Sequence, residues 1–206
     1  MAIDPYNPLE KRNLAESIQR RILRSQPAPL ASQDARASTG GAGVYALYYI
    51  GSFAPYMPIA ASNRNNQWRL PIYVGKAIPS GQRVGSGIES ALTATRALSS
   101  RLRRHATSIE EVDNLEISDF WFRHLVVDDV FIPLGEAMLI ETFQPLWNVE
   151  IAGFGSNPTG GPRAGQATSR WDTLHPGRGG AGQTALTEVQ QVQDLVEGYC
   201  EKLHKG

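Results

Sequence analysis

The chain has 206 residues, of which 41% are hydrophobic and 19% charged, with a formal net charge of zero; this composition is typical of a folded globular protein. No apolar run approaches the roughly 18 residues of a membrane span, and the first residues lack the basic start and apolar centre of a signal peptide, so we expect a cytoplasmic protein without a membrane partner. The single cysteine, Cys200, excludes an internal disulfide and a cysteine-ligated metal site.

The first predicted element is a helix over residues 7–24. Asn7 is a suitable N-cap and Pro8 suits the first helical position. Apolar residues recur along one side at a spacing of four: Leu14, Ile18 and Ile22. Pro27 ends the helix soon after these residues.

Two apolar, tyrosine-rich segments follow, at residues 43–50 and 70–74. Their β-branched and aromatic content favours strands. The intervening residues 51–69 are too many for a tight hairpin and contain several prolines, asparagines and arginines. We interpret them as an irregular loop whose side chains can donate to bases or phosphates, since loops of this length are often functional.

A second long helix is predicted over residues 88–107. Arg101 and His105 are four residues apart in it, so they share one face. A strand is predicted next, at residues 119–127, which are rich in aromatic and β-branched residues.

A further helix is predicted over residues 134–144, before Pro145, with Glu136 in its first turn. Residues 152–183 are rich in glycine and proline and predict a long loop or arm, and residues 185–203 predict an amphipathic helix. The predicted fold class is α/β: a small central antiparallel sheet of at least three strands flanked by helices, with helical additions at both ends.

Charge is distributed unevenly along the chain. Residues 1–104 contain 14 Lys/Arg and 5 Asp/Glu, a balance of +9, whereas residues 105–206 contain 6 Lys/Arg and 15 Asp/Glu, a balance of −9. This asymmetry is compatible with a basic face for nucleic-acid phosphates. It is equally compatible with two oppositely charged halves that pack together or solvate separate surfaces.

Two tripeptides on the first predicted strands, Gly43-Val44-Tyr45 and Tyr73-Val74-Gly75, resemble the paired motifs of the GIY-YIG nuclease superfamily. Each tripeptide alone is a weak signal. The resemblance is carried by the polar residues that follow in the family's order on the expected elements: Arg101, His105, Glu136 and Asn148. It implies a GIY-YIG-like fold and a nuclease activity.

A longer resemblance, over roughly residues 40–180, is to type II restriction endonucleases of this superfamily that recognise CCGCGG. It includes the segments at 41–49, 70–77, 145–148, 153–155, 171–172 and 175–178. It implies a single endonuclease domain over residues 1–206, with a catalytic core at about 40–150. The expected reaction is Mg²⁺-dependent, site-specific hydrolysis of double-stranded DNA.

The resemblance also implies roles for the matched residues. Tyr45 would activate water, with Lys76 and His105 as candidate helpers, because a tyrosine of ordinary pKa near 10 needs nearby positive charge to ionise. The remaining roles are water or phosphate orientation by Tyr73, phosphate-charge stabilisation by Arg101, binding of one Mg²⁺ per active site by Glu136, and support of the core by Asn148. A covalent nucleophilic role for Tyr45 is the alternative.

Candidate DNA contacts lie in the two long connecting segments, with phosphate and base contacts both open. They are Arg64, Arg69, Arg163, Arg170, His175 and Arg178. A palindromic target implies a homodimer or higher symmetric oligomer, and a restriction enzyme implies a paired methyltransferase. The alternative functions are a mobile-element or repair nuclease of the same superfamily, and a catalytically inactive DNA-binding module.

Overall fold

The computed structural model describes residues 10–79, 95–155, 168–178 and 186–203. Its centre is an antiparallel sheet in the order β1-β4-β2-β3. The strands are β1 (Ala28–Pro29), β2 (Gly43–Tyr49), β3 (Tyr73–Ala77) and β4 (Phe120–Val126). The predicted antiparallel sheet flanked by helices is therefore confirmed.

Eight α-helices surround the sheet in the described part of the chain. They are α1 (Lys11–Arg24), α2 (Gln33–Ala37), α3 (Met57–Asn63), α4 (Ala97–Glu110), α5 (Ile132–Phe143), α6 (Leu146–Val149), α7 (Arg170–Leu174) and α8 (Leu186–Leu203). In the same residues, none of these helices is both long and apolar enough to cross a lipid bilayer.

Strand β2 is buried along its whole length because helices cover both faces of the sheet. Its side chains alternate between two cores, as the two-residue period of a strand requires. Tyr45, Leu47 and Tyr49 face the core that includes α4 and α8. Val44 and Ala46 face the core that includes α1 and α5.

The second motif strand lies three residues later than the predicted 70–74. Asn63 explains the shift, because its side chain bonds both the N–H and the C=O of Leu70 and so occupies the groups that a strand would pair. Pro71 then lacks a backbone N–H. Ile72 donates to the Leu47 carbonyl at 2.8 Å, and regular pairing begins with Tyr73.

Residues 51–69 are not irregular throughout, which corrects the predicted loop. They contain a 3-10 turn at Ala54–Tyr56 followed by α3. Pro55 and Pro58 stand in the first turn of these two elements, where proline is compatible with helical geometry. The prolines therefore begin helical turns here.

Other boundaries also differ from the predictions. Helix α1 begins after Glu10, and the expected cap at Asn7 and Pro8 lies outside the described residues, as does the 88–94 part of the second long helix. Because α5 begins at Ile132, Glu136 stands in its second turn, and the predicted first-turn position is wrong.

The remaining predicted elements are present. Strand β4 and helix α8 confirm the predictions at 119–127 and 185–203. The glycine- and proline-rich stretch contains one short helix, α7, which begins where the Ser169 hydroxyl accepts from the Asp172 N–H at 3.1 Å. Its residues 156–167 and 179–185 lie outside the described residues.

Candidate active site

The two motif glycines are required by close packing inside the sheet. A Cβ atom on Gly43 would overlap the Leu125 carbonyl of the neighbouring strand. A Cβ atom on Gly75 would overlap the Tyr45 hydroxyl and lie 2.9 Å from Cε1 of Tyr73. Gly75 thus leaves the space in which the two motif tyrosines stand side by side.

Tyr45 and Tyr73 meet His105 on the face of the sheet that α4 covers. The Tyr45 hydroxyl lies 2.6 Å from Nε2 of His105, and both residues are fully buried. The Tyr73 ring lies 6.3 Å from that of Tyr45 and 5.3 Å from that of His105. Arg101, one helical turn before His105, lies close enough to both tyrosines to lower the pKa of each against the effect of burial.

Burial controls the protonation of this cluster. It raises the pKa of Tyr45 well above its ordinary value, with a further increase from Tyr73, while Arg101 acts in the opposite direction. Burial lowers the pKa of His105 well below its ordinary value, and the positive charges of Arg101, Arg104 and Arg178 lower it further. At neutral pH the pair is therefore a neutral phenol hydrogen-bonded to a neutral imidazole.

Lys76 and Glu136 form a second cluster on the other face of the edge strand β3. Lys76 pairs with Val44, which packs against α5, so its side chain points toward that helix. Its Nζ lies 2.6 Å from Oε2 of Glu136, with the side chains 39% and 20% exposed. Lys76 was expected to assist Tyr45, but the structure pairs it with the carboxylate.

Glu136 suits a largely hydrated Mg²⁺. Its carboxylate is partly exposed and lies close enough to the motif tyrosines to raise the pKa of Tyr73. Among the described residues, no group of three or more His, Cys, Asp or Glu side chains is arranged to hold a metal. Magnesium is commonly bound by one or two carboxylates together with waters and substrate phosphate, so a lone carboxylate fits this ion.

Asn148 closes the outer edge of β3. Its side-chain oxygen accepts from the Val74 N–H at 2.8 Å, and its amide nitrogen donates to the Val74 carbonyl at 2.9 Å. The neighbouring Trp147 N–H donates to the Ile72 carbonyl at 3.0 Å. Asn148 thereby satisfies backbone groups that an edge strand would otherwise leave unpaired, and it holds the second motif in place.

An open cleft of about 670 Å³ lies between the end of β3 and the start of α4. Four cationic side chains contribute to its lining: Lys76, Arg96, Arg101 and Arg104. No carboxylate belongs to the lining that the described residues provide. Sequence reasoning missed Arg96, which directly precedes α4, and Arg104, although Arg104 follows Arg101 by three residues, a spacing that makes them neighbours on the helix surface.

Phe154 and Gly155 are also part of the site. The Phe154 ring stacks on His105 with centroids 4.5 Å apart and planes 19° apart. Gly155 passes so close that a Cβ there would lie 2.8 Å from Cε1 of His105. These residues entered the sequence argument only through the resemblance of segment 153–155 to the restriction enzymes.

The candidate DNA contacts differ in their accessibility. Arg69 is exposed, and Arg170 is exposed with one nitrogen donating to the Glu150 carbonyl at 3.0 Å. The guanidinium of Arg64 donates to the carbonyls of Ile50 and Gly51. Arg163 lies outside the described residues.

His175 and Arg178 are both buried in the structure. His175 is 0% exposed and bonded to Tyr56 and Asn114, and Arg178 is 2% exposed and paired with Asp172 at 2.8 Å. A residue whose polar atoms are committed inside the core cannot contact DNA in this conformation. Their contact with DNA stays a prediction, and it would require these buried groups to become exposed.

The chain is similar to a known protein family. A family model described as the Eco29kI GIY-YIG domain matches residues 37–200 of the chain. No curated protein matches the chain. The matched range includes both tyrosine motifs, the cationic cleft and the segment around Phe154, whereas helix α1 precedes it.

Proposed function

The chain belongs to the Eco29kI GIY-YIG domain family, a family of restriction endonucleases, and from this membership we propose that it hydrolyses double-stranded DNA at the short palindromic site CCGCGG. The observation that carries the proposal is the position of the Tyr45–His105 hydrogen bond beside Arg101, at a cleft whose lining includes four cations. Such a cleft attracts DNA phosphate electrostatically, and the buried pair offers a route for a proton.

We propose that Tyr45 and His105 act together as the base. Because burial raises the pKa of Tyr45, a free phenolate is not its resting form, contrary to the expectation that nearby cations ionise it. Instead, the Tyr45 oxygen takes a proton from the attacking water while its own proton passes to Nε2 of His105, 2.6 Å away. Burial of the Tyr45 hydroxyl applies equally to the covalent alternative, which would be recognised by a tyrosine-linked DNA intermediate.

The other residues stabilise charge and orient the substrate. The water oxygen attacks phosphorus, the bond to the 3′ oxygen breaks, and the departing oxygen takes a proton from solvent in the open cleft. Arg101 donates to the non-bridging oxygens of the transition state as a planar multi-donor group, and Tyr73 orients the water or phosphate. When bound at Glu136, one Mg²⁺ per active site would supply Lewis-acid stabilisation of the phosphate charge.

The palindromic target extends the proposal to assembly and context. Two equivalent strands must be cut, so we propose a homodimer or a higher symmetric oligomer with one active site for each strand. Arg69 and Arg170, both exposed, are the described candidates for DNA contact outside the cleft. A methyltransferase that modifies the same sequence would protect the host DNA.

Cleavage of two plasmids tests the function directly. One supercoiled plasmid carries a single CCGCGG site, and its matched partner carries one base change in that site. With Mg²⁺ the first is expected to become linear with unique mapped ends, and the second to remain intact. EDTA should prevent cleavage of the first. Random fragments would instead indicate a repair or mobile-element nuclease, and binding without cutting would indicate an inactive DNA-binding module.

The metal assignment has its own matched pair of variants on α5. Glu136→Gln is expected to retain DNA binding but lose cleavage at any Mg²⁺ concentration, because it removes the candidate metal ligand. Glu141→Gln changes an exposed carboxylate of the same helix and should cleave like the wild type. Wild-type cleavage by Glu136→Gln would remove this residue from the metal site.

A further inference from the structure

The segment Gly153-Phe154-Gly155 packs against His105, with the Phe154 ring on the face of the imidazole and Gly155 near Cε1. Phe154 is 5% exposed, stacks on the imidazole and contacts the Tyr73 ring edge-on at 5.0 Å. The Tyr45 hydroxyl occupies Nε2 of the same imidazole. His105 is therefore hydrogen-bonded to Tyr45 at Nε2 and covered on one ring face by an apolar side chain.

The two glycines make this close approach possible. Gly153 and Gly155 have φ angles of +125° and +77°, a region that residues with a Cβ rarely adopt. A Cβ on Gly155 would also lie 3.2 Å from the Tyr73 hydroxyl. The backbone of Gly155 thus reaches both rings of the site only because it has no side chain.

The segment is fixed from behind by a buried ion pair and by aromatic packing. Arg178 bonds Asp172 at 2.8 and 2.9 Å and also donates to the Gly153 carbonyl at 3.4 Å. Trp147 and Trp171 pack on the far side of Phe154, with centroids 4.4 and 5.2 Å away. These contacts come from α6 and α7, so other parts of the same chain hold the ring in place.

We propose that Phe154 is a positioning residue that keeps His105 dry and neutral, ready to accept the proton that leaves Tyr45. Within the described residues Nδ1 of His105 has no hydrogen-bond partner, so its imidazolium would be poorly stabilised. The charged groups that act on it are the cations Arg101, Arg104 and Arg178, and the neighbouring titratable hydroxyls belong to Tyr45 and Tyr73.

The same arrangement links the base to the substrate. Arg101 and Arg104 oppose a positive charge on His105 and also line the cleft. DNA phosphates seated in the cleft would offset their charge and make proton acceptance by His105 easier when substrate is bound. This step depends on the proposed function, whereas the placement of Phe154 over His105 can be tested without DNA.

The test compares Phe154→Leu with Phe53→Leu. Phe53 lies beside a different buried histidine, His175, with centroids 5.4 Å apart, so it is a matched loss of one aromatic ring. NMR of the free protein follows His105 between pH 5 and 8, and single-turnover cleavage is measured over the same range. Phe154→Tyr, which retains the ring, serves as the rescue variant.

In the wild type and in Phe53→Leu, His105 is expected to stay neutral throughout, with no loss of cleavage on the acid side. In Phe154→Leu, water reaches the imidazole and its pKa moves toward the ordinary value of about 6.5. Cleavage at pH 6 should then fall about fourfold relative to pH 8, the ratio of the neutral fractions for that pKa. Phe154→Tyr should restore the wild-type profile.

An unchanged titration and an unchanged pH profile in Phe154→Leu would overturn the proposal. If that variant fails to fold, the wild-type spectrum decides, because a stacked phenyl ring must shift the Hε1 signal of His105 upfield; a normal Hε1 shift with titration near 6.5 would also overturn it. If the wild type cuts no DNA, the proposed function fails, while the NMR titration still tests the role of Phe154.

Discussion

The described residues include two buried tyrosine–histidine pairs with the same hydrogen-bond length and different surroundings. Tyr45 lies 2.6 Å from Nε2 of His105, and Tyr56 lies 2.6 Å from Nε2 of His175. All four side chains are fully buried. Burial lowers the pKa of both histidines, that of His175 to about 3, and raises the pKa of both tyrosines.

The two pairs differ in what completes them. His175 also bonds Oδ1 of Asn114 at 2.8 Å, and Tyr56 accepts from the Trp147 indole at 2.9 Å, which makes a closed network. His105 has no second partner in the described residues, and Arg101 connects its pair to the cleft. The pair itself therefore does not indicate catalysis, whereas an adjacent cation and an unsatisfied nitrogen do.

The largest expected difference between the two pairs is the effect on the cleavage rate when each tyrosine hydroxyl is removed in turn. Tyr45→Phe is expected to lower the cleavage rate by about 10²–10⁴-fold, the usual contribution of a general base, with DNA binding retained. Tyr56→Phe should cleave at the wild-type rate per folded molecule. Single-turnover rates with binding measured in Ca²⁺ provide the test, and equal losses in the two variants would contradict the distinction.

Arg101 is the second difference between the pairs that can be tested, because the described surroundings of the Tyr56 pair contain no equivalent cation. Arg101→Met should lower cleavage by about 10²–10³-fold, as for the loss of one transition-state donor. Arg103→Met, an exposed arginine on the same helix, is the control and should have little effect. Near-normal cleavage by Arg101→Met would show that its charge does not act on the scissile phosphate.

Much of the fold could be predicted from the sequence because the spacing of apolar residues within each segment indicates whether it forms a helix or a strand. Strand β4 and helices α5 and α8 lie close to their predicted bounds. The shift of β3 was not predictable, since it follows from side-chain bonds of Asn63 to Leu70 that only the folded chain brings together.

The residues of the candidate site could be predicted from the sequence only where the order of the motif residues along the chain indicates them. The motif residues meet as their order implied, but the partner of Lys76 depends on which face of β3 it occupies. His175 and Arg178 were predicted to contact DNA because they lie in the glycine- and proline-rich segment. In the folded chain both are buried, and they bond to Asn114 and Asp172. The Tyr56–His175 bond joins residues 119 positions apart, and no local pattern indicates it.

The stability of the second pair gives a smaller expected effect. Tyr56→Phe removes the oxygen that His175 and Trp147 share, and a buried polar group left unsatisfied costs about 1–3 kcal/mol. Urea unfolding at pH 7 should show this loss. Tyr48→Phe is a suitable control, because the Tyr48 hydroxyl has no hydrogen-bond partner in the described residues and its removal should cost less; a larger cost for Tyr48→Phe would contradict the closed network.

The last prediction concerns the pH dependence of stability at His175. Its folded pKa, about 3, lies below the unfolded value of about 6.5, so below 6.5 the unfolded state binds a proton that the folded state excludes. The stability present above pH 6.5 should therefore fall by about 1.4 kcal/mol per pH unit as the pH decreases toward 3. His175→Gln should be less stable than the wild type at pH 7. Between pH 6.5 and 4 its free energy of unfolding should fall less steeply than that of the wild type, by about 1.4 kcal/mol per pH unit. Burial also lowers the pKa of His105, so only the difference between the two proteins reports on His175. If the free energies of unfolding of the wild type and of His175→Gln change in parallel with pH, His175 is already protonated in the folded protein, and its pair with Tyr56 is charged.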